Sequence, residues 1–202
     1  MSAAKPKKTT ESSKDLLVIA FEVIAETGWS DFSFNDLADR AGLSFSEIRG
    51  FFKSKSAILD ALNLRLDEAM LAVDRGELSD LPMRDRVFEL MMSRLEAMAP
   101  LRAGVLRLSK DARQDSELVI MTACRLDRSM GWLQDAAGLR SGGVHSRLQQ
   151  HILTALYLKT LNSWFADDGA DLAKTMASLD KDLRRIESFA GLANRQSRKS
   201  QS

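Results

Sequence analysis

The chain has 202 residues, enough for one compact domain or two small ones. Hydrophobic residues make up 45% and charged residues 28%, with only three prolines, which excludes a disordered or collagen-like chain. Lysine and arginine number 29 against 28 acidic residues, so the net charge of +1 does not by itself indicate a polyanionic partner.

The residue types favour helix over strand. Leucine (29) and alanine (24) far outnumber valine plus isoleucine (14), and β-branched residues normally supply strands. The single cysteine, Cys124, excludes an internal disulfide framework and suits a reducing compartment. No apolar run reaches the roughly 18 residues of a membrane span, and the N-terminus lacks a signal-peptide core. We therefore predict an all-α cytoplasmic protein without a membrane span.

The apolar spacing predicts about nine helices between two polar ends. Residues 1–13, with Lys5, Lys7 and Lys8, are expected to form a flexible basic arm, and residues 191–202 a flexible tail. A first helix ends at Gly28, two short helices follow, and a long helix runs from Ser54 to Gly76. The pattern breaks at 76–82, and five more helices are expected at about 82–98, 101–111, 115–137, 146–166 and 169–189.

The last two predicted helices carry distinct apolar patterns. In helix 146–166, residues Leu148, Ile152 and Ala155 mark one face, and a second face carries Leu153, Tyr157, Leu161 and Trp164. A helix that is apolar on two faces is expected to be buried from more than one direction. In the last helix the apolar residues alternate at steps of four and three, which predicts packing against a partner helix. These residues are Leu172, Met176, Leu179, Leu183 and Ile186.

Residues 33–55 carry the most specific pattern. Ser33 with Asp36, and Ser44 with Glu47, are spaced as helix N-terminal capping boxes, so they predict two very short helices. The link between these helices is too short for more than one tight turn. A small residue at Ala38, a glycine at Gly42 and an aliphatic residue at Ile48 then suit a close crossing of two helices, with a positive φ at the glycine.

Residues 14–60 resemble the DNA-binding domain of the TetR family of bacterial repressors. The resemblance rests on the order of Gly28-Trp29, the segment from Ser33 to Ser44, and Phe52-Lys53-Ser54-Lys55 followed by Ala57-Ile58-Leu59. It implies a three-helix helix-turn-helix domain over 14–60 and a helical bundle for ligand binding and dimerisation over 61–190. It also implies a homodimer that places the second short helix of each copy in a major groove of double-stranded DNA.

The resemblance assigns DNA-contacting roles to particular positions. Ser44, Phe45 and Ser46 are expected to face base edges, whereas Ser33 and Asn35 are expected near a phosphate. Lys53 and Lys55 add positive charge, with Lys55 near a second phosphate. Arg49 stands where the family commonly has an aromatic residue, and its guanidinium suits either a phosphate or a guanine.

The larger C-terminal part is expected to bind a small apolar effector of unknown identity, with no other cofactor. Pliable methionines and aromatic residues suit such a pocket, although residues of these types at helical spacing also suit an ordinary core. The candidate pocket residues are Met91, Met98, Met121, Trp132, Tyr157 and Trp164. The candidate dimer-interface residues are Leu153, Tyr157, Leu172, Met176, Leu179 and Leu183.

A second, shorter similarity leaves another function open. The segments 132–138 and 164–180 are similar to the C-terminal half of lipid-binding proteins of ubiquinone biosynthesis, which share a TetR-like helical fold. This similarity implies a lipid- or isoprenoid-binding accessory protein whose fold no longer binds DNA. The two functions differ in whether the protein retards duplex DNA.

Other reactive residues do not point to catalysis. His145 and His151 lack the spacing of a metal site, and Cys124 lies in an apolar stretch that predicts an inert core thiol. We find no acid–base pair or activated nucleophile, so an enzyme is not expected. The sequence therefore predicts a homodimeric, ligand-responsive DNA-binding regulator, a repressor acting on a palindromic operator.

Overall fold

The computed structural model describes residues 9–139, 143–169 and 171–199. Throughout these ranges the secondary structure is helical, without strands, which confirms the all-α prediction. A 3₁₀ turn at Ala99–Leu101 joins the sixth helix to the seventh. The α-helices of the described residues are α1 (Thr9–Thr27), α2 (Phe34–Ala41), α3 (Phe45–Phe51), α4 (Lys55–Leu71), α5 (Arg75–Asp80), α6 (Met83–Met98), α7 (Arg102–Asp111), α8 (Ser116–Ala136), α9 (Val144–Phe165) and α10 (Ala173–Lys199).

The helix absent from the sequence prediction is α5, which lies where the apolar pattern breaks. The long helix α4 ends at Leu71, not at Gly76, and α5 starts after Asp74. The Asp74 side chain accepts a hydrogen bond from the Gly76 N–H at 2.7 Å, so a local cap starts a new helix within the predicted break.

The helices at the two chain ends extend into the segments predicted to be flexible. Helix α1 begins at Thr9, within the predicted arm, whereas Lys5, Lys7 and Lys8 lie outside the described residues. Helix α10 begins after Leu172, which has a φ of 52°, and continues to Lys199. The helix predicted at 169–189 therefore starts later and ends later. Its start is shifted because Leu172 has a left-handed backbone conformation that no α-helix accommodates.

The chain forms two compact units. The first unit comprises Met1–Arg65 with Met98–Arg125, and the second comprises Leu66–Ala97 with Leu126–Ser202. Residues 98–125 thus fold with the N-terminal segment, an arrangement that the sequence pattern did not indicate. The expected domains at 14–60 and 61–190 did not include this return of the chain.

Helix α7 packs closely on α1 in the first unit. Gly104 of α7 makes this approach possible, because a Cβ at that position would lie 2.2 Å from the carbonyl oxygen of Phe21. Around this crossing, four apolar residues of α1 and two apolar residues of α7 are buried. The residues are Leu17, Ala20, Phe21, Ile24, Val105 and Leu108.

Helices α9 and α10 pack against each other in the second unit. The buried face of α9 carries Leu153, Leu156, Tyr157, Thr160 and Trp164. The other apolar face, with Leu148 and Ile152, is exposed in the single chain. The expectation that α9 is buried from two directions is therefore wrong for one protomer, because its neighbours in the chain cover only one face.

A polar cluster lies inside the second unit. Arg94, which is almost fully buried, forms an ion pair with Asp67. The Ser129 hydroxyl donates to Asp67 Oδ2 at 3.0 Å, and Arg94 Nη2 lies 3.3 Å from the same hydroxyl. The guanidinium carbon of Arg94 is 5.4 Å from the centre of the Tyr157 ring. The charges of this cluster are matched within the protein, as buried ions require.

Candidate nucleic-acid interface

Helices α2 and α3 are joined by a turn whose geometry depends on one glycine. The Ser33 hydroxyl caps α2 by accepting the Asp36 N–H at 3.1 Å. Helix α2 ends at Gly42, which has φ 65° and ψ 30°, and the Leu43 N–H donates to the Ala38 carbonyl at 3.1 Å. The predicted positive φ is confirmed, and the two helices are separated by only three residues.

Helix α3 starts with the predicted capping box. The Ser44 N–H donates to Glu47 Oε2 at 2.8 Å, and the Glu47 N–H donates to the Ser44 hydroxyl at 3.3 Å. The Ser44 hydroxyl also donates to Glu47 Oε2 at 2.7 Å. These hydrogen bonds, above all the one from the Ser44 hydroxyl, hold the pKa of Glu47 below its ordinary value. The Ser44 hydroxyl is therefore occupied by the cap, although it was predicted to face base edges.

The two short helices are held by a small apolar core. Ala38 on α2 and Ile48 on α3 are buried, as the spacing predicted, and Leu37 and Phe52 are buried with them. Leu43 is only partly buried because it lies in the turn. This core fixes α3 on α2 and leaves the opposite side of α3 exposed.

The predicted DNA-contacting residues of the first unit lie at the start of α2, on α3 and its cap, and around the start of α4. Asn35 and Lys53 are exposed, and Ser33 and Lys55 are partly buried. On α3 and its cap, Ser44, Phe45, Ser46 and Arg49 are exposed. Phe45 stands out because 54% of this aromatic residue is exposed to solvent. All eight positions thus retain accessible surface in the single chain.

Most cations of the segment 33–55 have partners within the chain. Arg40 donates to Glu26 at 2.6 Å, and Arg49 Nη1 donates to the Lys53 carbonyl at 2.9 Å. Lys55 Nζ donates to the Ser30 carbonyl at 3.2 Å and lies 4.8 Å from the Trp29 ring centre. Burial lowers the pKa of Lys55. The positive charge for a phosphate backbone is therefore modest, and Lys53 is an exposed part of it.

A contact that sequence reasoning missed ties α7 to the loop between α1 and α2. The Trp29 N–H donates to Asp111 Oδ2 at 2.7 Å, and Arg107 Nε donates to Asp111 Oδ1 at 2.9 Å. Trp29 and Asp111 are 82 positions apart, so no local pattern signals this pair. The contact fixes the loop that precedes α2, the first helix of the helix-turn-helix pair.

The six predicted pocket residues are divided between the two units. Met98 and Met121 belong to the first unit, and the other four belong to the second. Met91, Tyr157 and Trp164 are buried in the second unit, and burial raises the pKa of Tyr157. Trp132 is 52% exposed and lines a cleft of about 410 Å³ with Leu71 and Leu78. Of the six residues, Trp132 alone is placed at this cleft.

The predicted dimer residues are mostly core residues of one protomer. Leu153, Tyr157, Leu179 and Leu183 are buried within the single chain, so they have almost no surface to offer a partner. Met176 and Leu172 are partly buried. The apolar spacing of α10 reflects its packing on α9 of the same chain, which corrects the predicted interface.

Cys124 corrects another expectation. This cysteine is exposed and is not a core thiol. The apolar stretch around it lies on α8, and the buried residue next to this stretch is Leu118, on a different side of the helix. His145 and His151 on α9 are both exposed. Within the described ranges, no helix is long and apolar enough to cross a membrane.

Comparisons with known proteins agree with this geometry. Residues 16–62 match the family model described as bacterial regulatory proteins, tetR family. A TetR transcriptional regulator from Nitrosomonas europaea is 26% identical, with 87% of this chain and 97% of that chain covered and a TM-score of 0.71. No curated protein matches the chain.

Two further solved structures share the fold. A TetR-family regulator from Rhodococcus sp. is 19% identical, with 89% of this chain and 98% of that chain covered and a TM-score of 0.62. One from Mesorhizobium loti is 13% identical, with 91% and 98% covered and a TM-score of 0.58. The fold and the α2–α3 pair define a helix-turn-helix DNA-binding transcriptional regulator. Residues 16–62 form a domain of the tetR family, and the chain shares the fold of TetR-family regulators.

Proposed function

We propose that the protein is a homodimeric, ligand-responsive transcriptional repressor that binds a palindromic operator. The observation that carries the proposal is the α2–α3 pair, which is closed by Gly42 and leaves Phe45 and Ser46 of α3 exposed. Such a pair offers its second helix to the major groove, and two copies related by a two-fold axis read half-sites about 34 Å apart. The match of residues 16–62 to the family supports this role.

The salt dependence of DNA binding tests the proposal. Binding of the protein to its own upstream DNA should weaken steeply as salt rises, because bound phosphates release counterions. In the variant Lys53→Ala, the slope of log K against log salt should become shallower by about 0.9 for each protomer, the value for one lost phosphate contact. Fluorescence anisotropy at several salt concentrations measures both slopes.

The variant Lys110→Ala is a matched control, because Lys110 is also exposed and lies on α7 of the same unit. It should leave the slope unchanged. Equal slopes for wild type and Lys53→Ala would exclude Lys53 from the interface, and absence of binding to any genomic fragment at low salt would contradict a DNA-binding repressor.

The dimer in this proposal uses the exposed face of α9. Val144, Leu148 and Ile152 follow one another at steps of four residues and are all exposed large apolar side chains. An apolar stripe of this kind marks an interaction surface, and a two-fold axis brings identical stripes together. The occupant we propose is α9 of a second copy.

The effector site in this proposal is the cleft beside Trp132. Its wall combines Leu71, Leu78 and Trp132 with Arg75, Arg86 and Asp135, so the cations outnumber the anion. This mixture suits an amphipathic anion with an apolar body. An effector that prefers the form with weak operator affinity by about 1–3 kcal/mol would reduce binding about 5–150-fold.

Tryptophan fluorescence tests the cleft. Trp29 and Trp164 are buried, so solvent-exposed emission comes from Trp132. Addition of 8-anilinonaphthalene-1-sulfonate, an apolar anion, should quench this emission by energy transfer and produce dye fluorescence that palmitate displaces. The variant Trp132→Ala should bind the dye at least several-fold more weakly. Equal dye binding by wild type and variant would exclude the cleft.

A further inference from the structure

Phe45 is an exposed aromatic residue at the first position of α3. It follows the cap residue Ser44, precedes Ser46, and has 54% of its surface open to solvent. The buried residue of α3 is Ile48, which lies about one turn further along this short helix. Phe45 therefore contributes exposed apolar surface at the start of the helix that the proposed function places in the major groove.

The neighbouring polar groups of α3 are partly occupied by the protein itself. The Ser44 hydroxyl both donates to and accepts from Glu47 in the capping box. Arg49 Nη1 donates to the carbonyl of Lys53 at 2.9 Å. Glu47 is an anion that accepts two hydrogen bonds from Ser44 and gains nothing from an adjacent phosphate. The largest unoccupied surface on the first turn of α3 is therefore the Phe45 ring.

The chemistry of the major groove limits what such a ring contacts. Base edges there present hydrogen-bond donors and acceptors, and the apolar group among them is the C5-methyl of thymine. A phenyl ring placed against a polar edge leaves that edge without its water and without a partner, which costs binding free energy. A phenyl ring against a methyl group removes apolar surface from water on both sides.

We propose that Phe45 determines operator specificity by contacting the C5-methyl of one thymine in each half-site. This inference rests on the proposed function and adds the base feature that α3 reads. It assigns a T·A pair to one fixed position of each half-site, with cytosine disfavoured there because it lacks the methyl group.

Deoxyuridine tests the contact, since it differs from thymidine only by this methyl group. The full-length protein first selects a duplex from a random-sequence library, and each thymine of that duplex is then replaced singly by deoxyuridine. For wild type, replacement of the contacted thymine in one half-site should weaken binding about fourfold, the factor for about 0.8 kcal/mol per buried methyl-sized group. Replacement in both half-sites should weaken binding about sixteenfold.

The variant Phe45→Ala should bind the thymine and deoxyuridine duplexes equally well at that position. Phe45→Leu, which keeps an apolar side chain, should retain part of the discrimination. Leu64→Ala is the matched control, because Leu64 is an equally exposed apolar residue on α4 of the same unit. It should keep the full fourfold effect. Thermal unfolding checks that the variants fold. The deoxyuridine replacements measured with the wild-type protein test the contact even if a variant does not fold.

The outcomes separate this inference from the proposed function. If wild type selects no duplex, the proposed function fails and the contact fails with it. If wild type selects a duplex but no single deoxyuridine weakens binding, the regulator stands and the Phe45 contact is overturned. The contact is also overturned if Phe45→Ala discriminates the two duplexes as well as wild type does.

Discussion

Individual glycines in the first unit meet different physical demands. Gly42 has a φ of 65°, but a Cβ there would meet nothing within 4 Å, so only the backbone conformation favours glycine. Gly104 has ordinary helical geometry, yet a Cβ would come 2.2 Å from the Phe21 carbonyl oxygen and 2.8 Å from Phe21 Cδ1. Gly50 in α3 has neither constraint. The same alanine substitution therefore has three different expected effects.

Chemical denaturation of the three alanine variants tests this reasoning. Gly42→Ala should lower the free energy of unfolding by about 1–2 kcal/mol, the cost of a left-handed conformation for an L-residue. Gly104→Ala should lower it by about 3 kcal/mol or more, because α7 must move away from α1. Gly50→Ala should raise it by roughly 0.5–1 kcal/mol, because alanine favours helix. A milder loss for Gly104→Ala than for Gly42→Ala would contradict the close helix crossing.

At the scale of elements, α7 holds the loop that leads into the helix-turn-helix segment. Asp111 at the end of α7 accepts the Trp29 N–H and the Arg107 guanidinium. Burial opposes ionisation of Asp111, but these two donors outweigh it and keep the pKa below 3.8. An acid with a lowered pKa in the folded state adds stability above its unfolded pKa, and this stability is lost as the pH falls.

The variant Asp111→Asn tests the contribution of this contact. At neutral pH it should lower the free energy of unfolding by about 1–2 kcal/mol, because a hydrogen-bonded charge is removed. The difference from wild type should shrink as the pH falls below 3.8 and through the lower pKa of the folded state. Urea denaturation between pH 7 and pH 3 measures this difference. Glu117→Gln is the control, since Glu117 is an exposed acid on α8 of the same unit.

If the difference between wild type and Asp111→Asn is constant across this pH range, ionisation of Asp111 does not stabilise the α7 contact. If Glu117→Gln shows the same pH dependence, the effect comes from net charge and not from the Trp29 contact.

At the scale of the whole molecule, regulation of a palindrome requires a second copy of the chain. The residues expected from the sequence to form that interface are largely buried in one protomer, so the proposed interface uses other side chains of α9. Leu148 and Ile152 are exposed apolar residues one turn apart on α9. A charge on both positions would place like charges against each other across a two-fold interface.

The double variant Leu148→Glu/Ile152→Glu should therefore be monomeric where wild type is dimeric, as measured by sedimentation equilibrium. Its free energy of unfolding as a protomer should change little, because both residues are exposed. Leu64→Glu should remain dimeric. A dimeric double variant would assign the interface to another surface of the chain.

Local sequence chemistry predicted the helix-turn-helix pair closely. The caps at Ser33 and Ser44 and the positive φ at Gly42 were all expected. Each of these features depends on groups at most a few positions apart, so their residue types and spacing are sufficient to define them. Helix α5 also starts at a local cap, Asp74, but it was not predicted because the apolar pattern of this segment is weak.

The DNA-contacting, pocket and dimer residues were harder to predict. Helical spacing identifies an apolar face but does not say whether the same chain or a second copy covers it. For this reason Leu179 and Leu183 were assigned to a partner although α9 of the same protomer covers them. The assignment of bases to α3 and of an effector to the second unit stays a prediction, as does the similarity to lipid-binding proteins.

The sequence by itself determined the helical class, the caps, the glycine-closed turn and hence the domain family of residues 16–62, because these depend on composition and short-range hydrogen bonds. Only the tertiary structure decided that α7 folds onto α1, that Asp111 holds Trp29, and that Cys124 and Trp132 are exposed. These facts depend on contacts between positions far apart in the chain or on which helix faces remain uncovered. The spacing of residue types along the chain does not by itself show which distant positions come into contact.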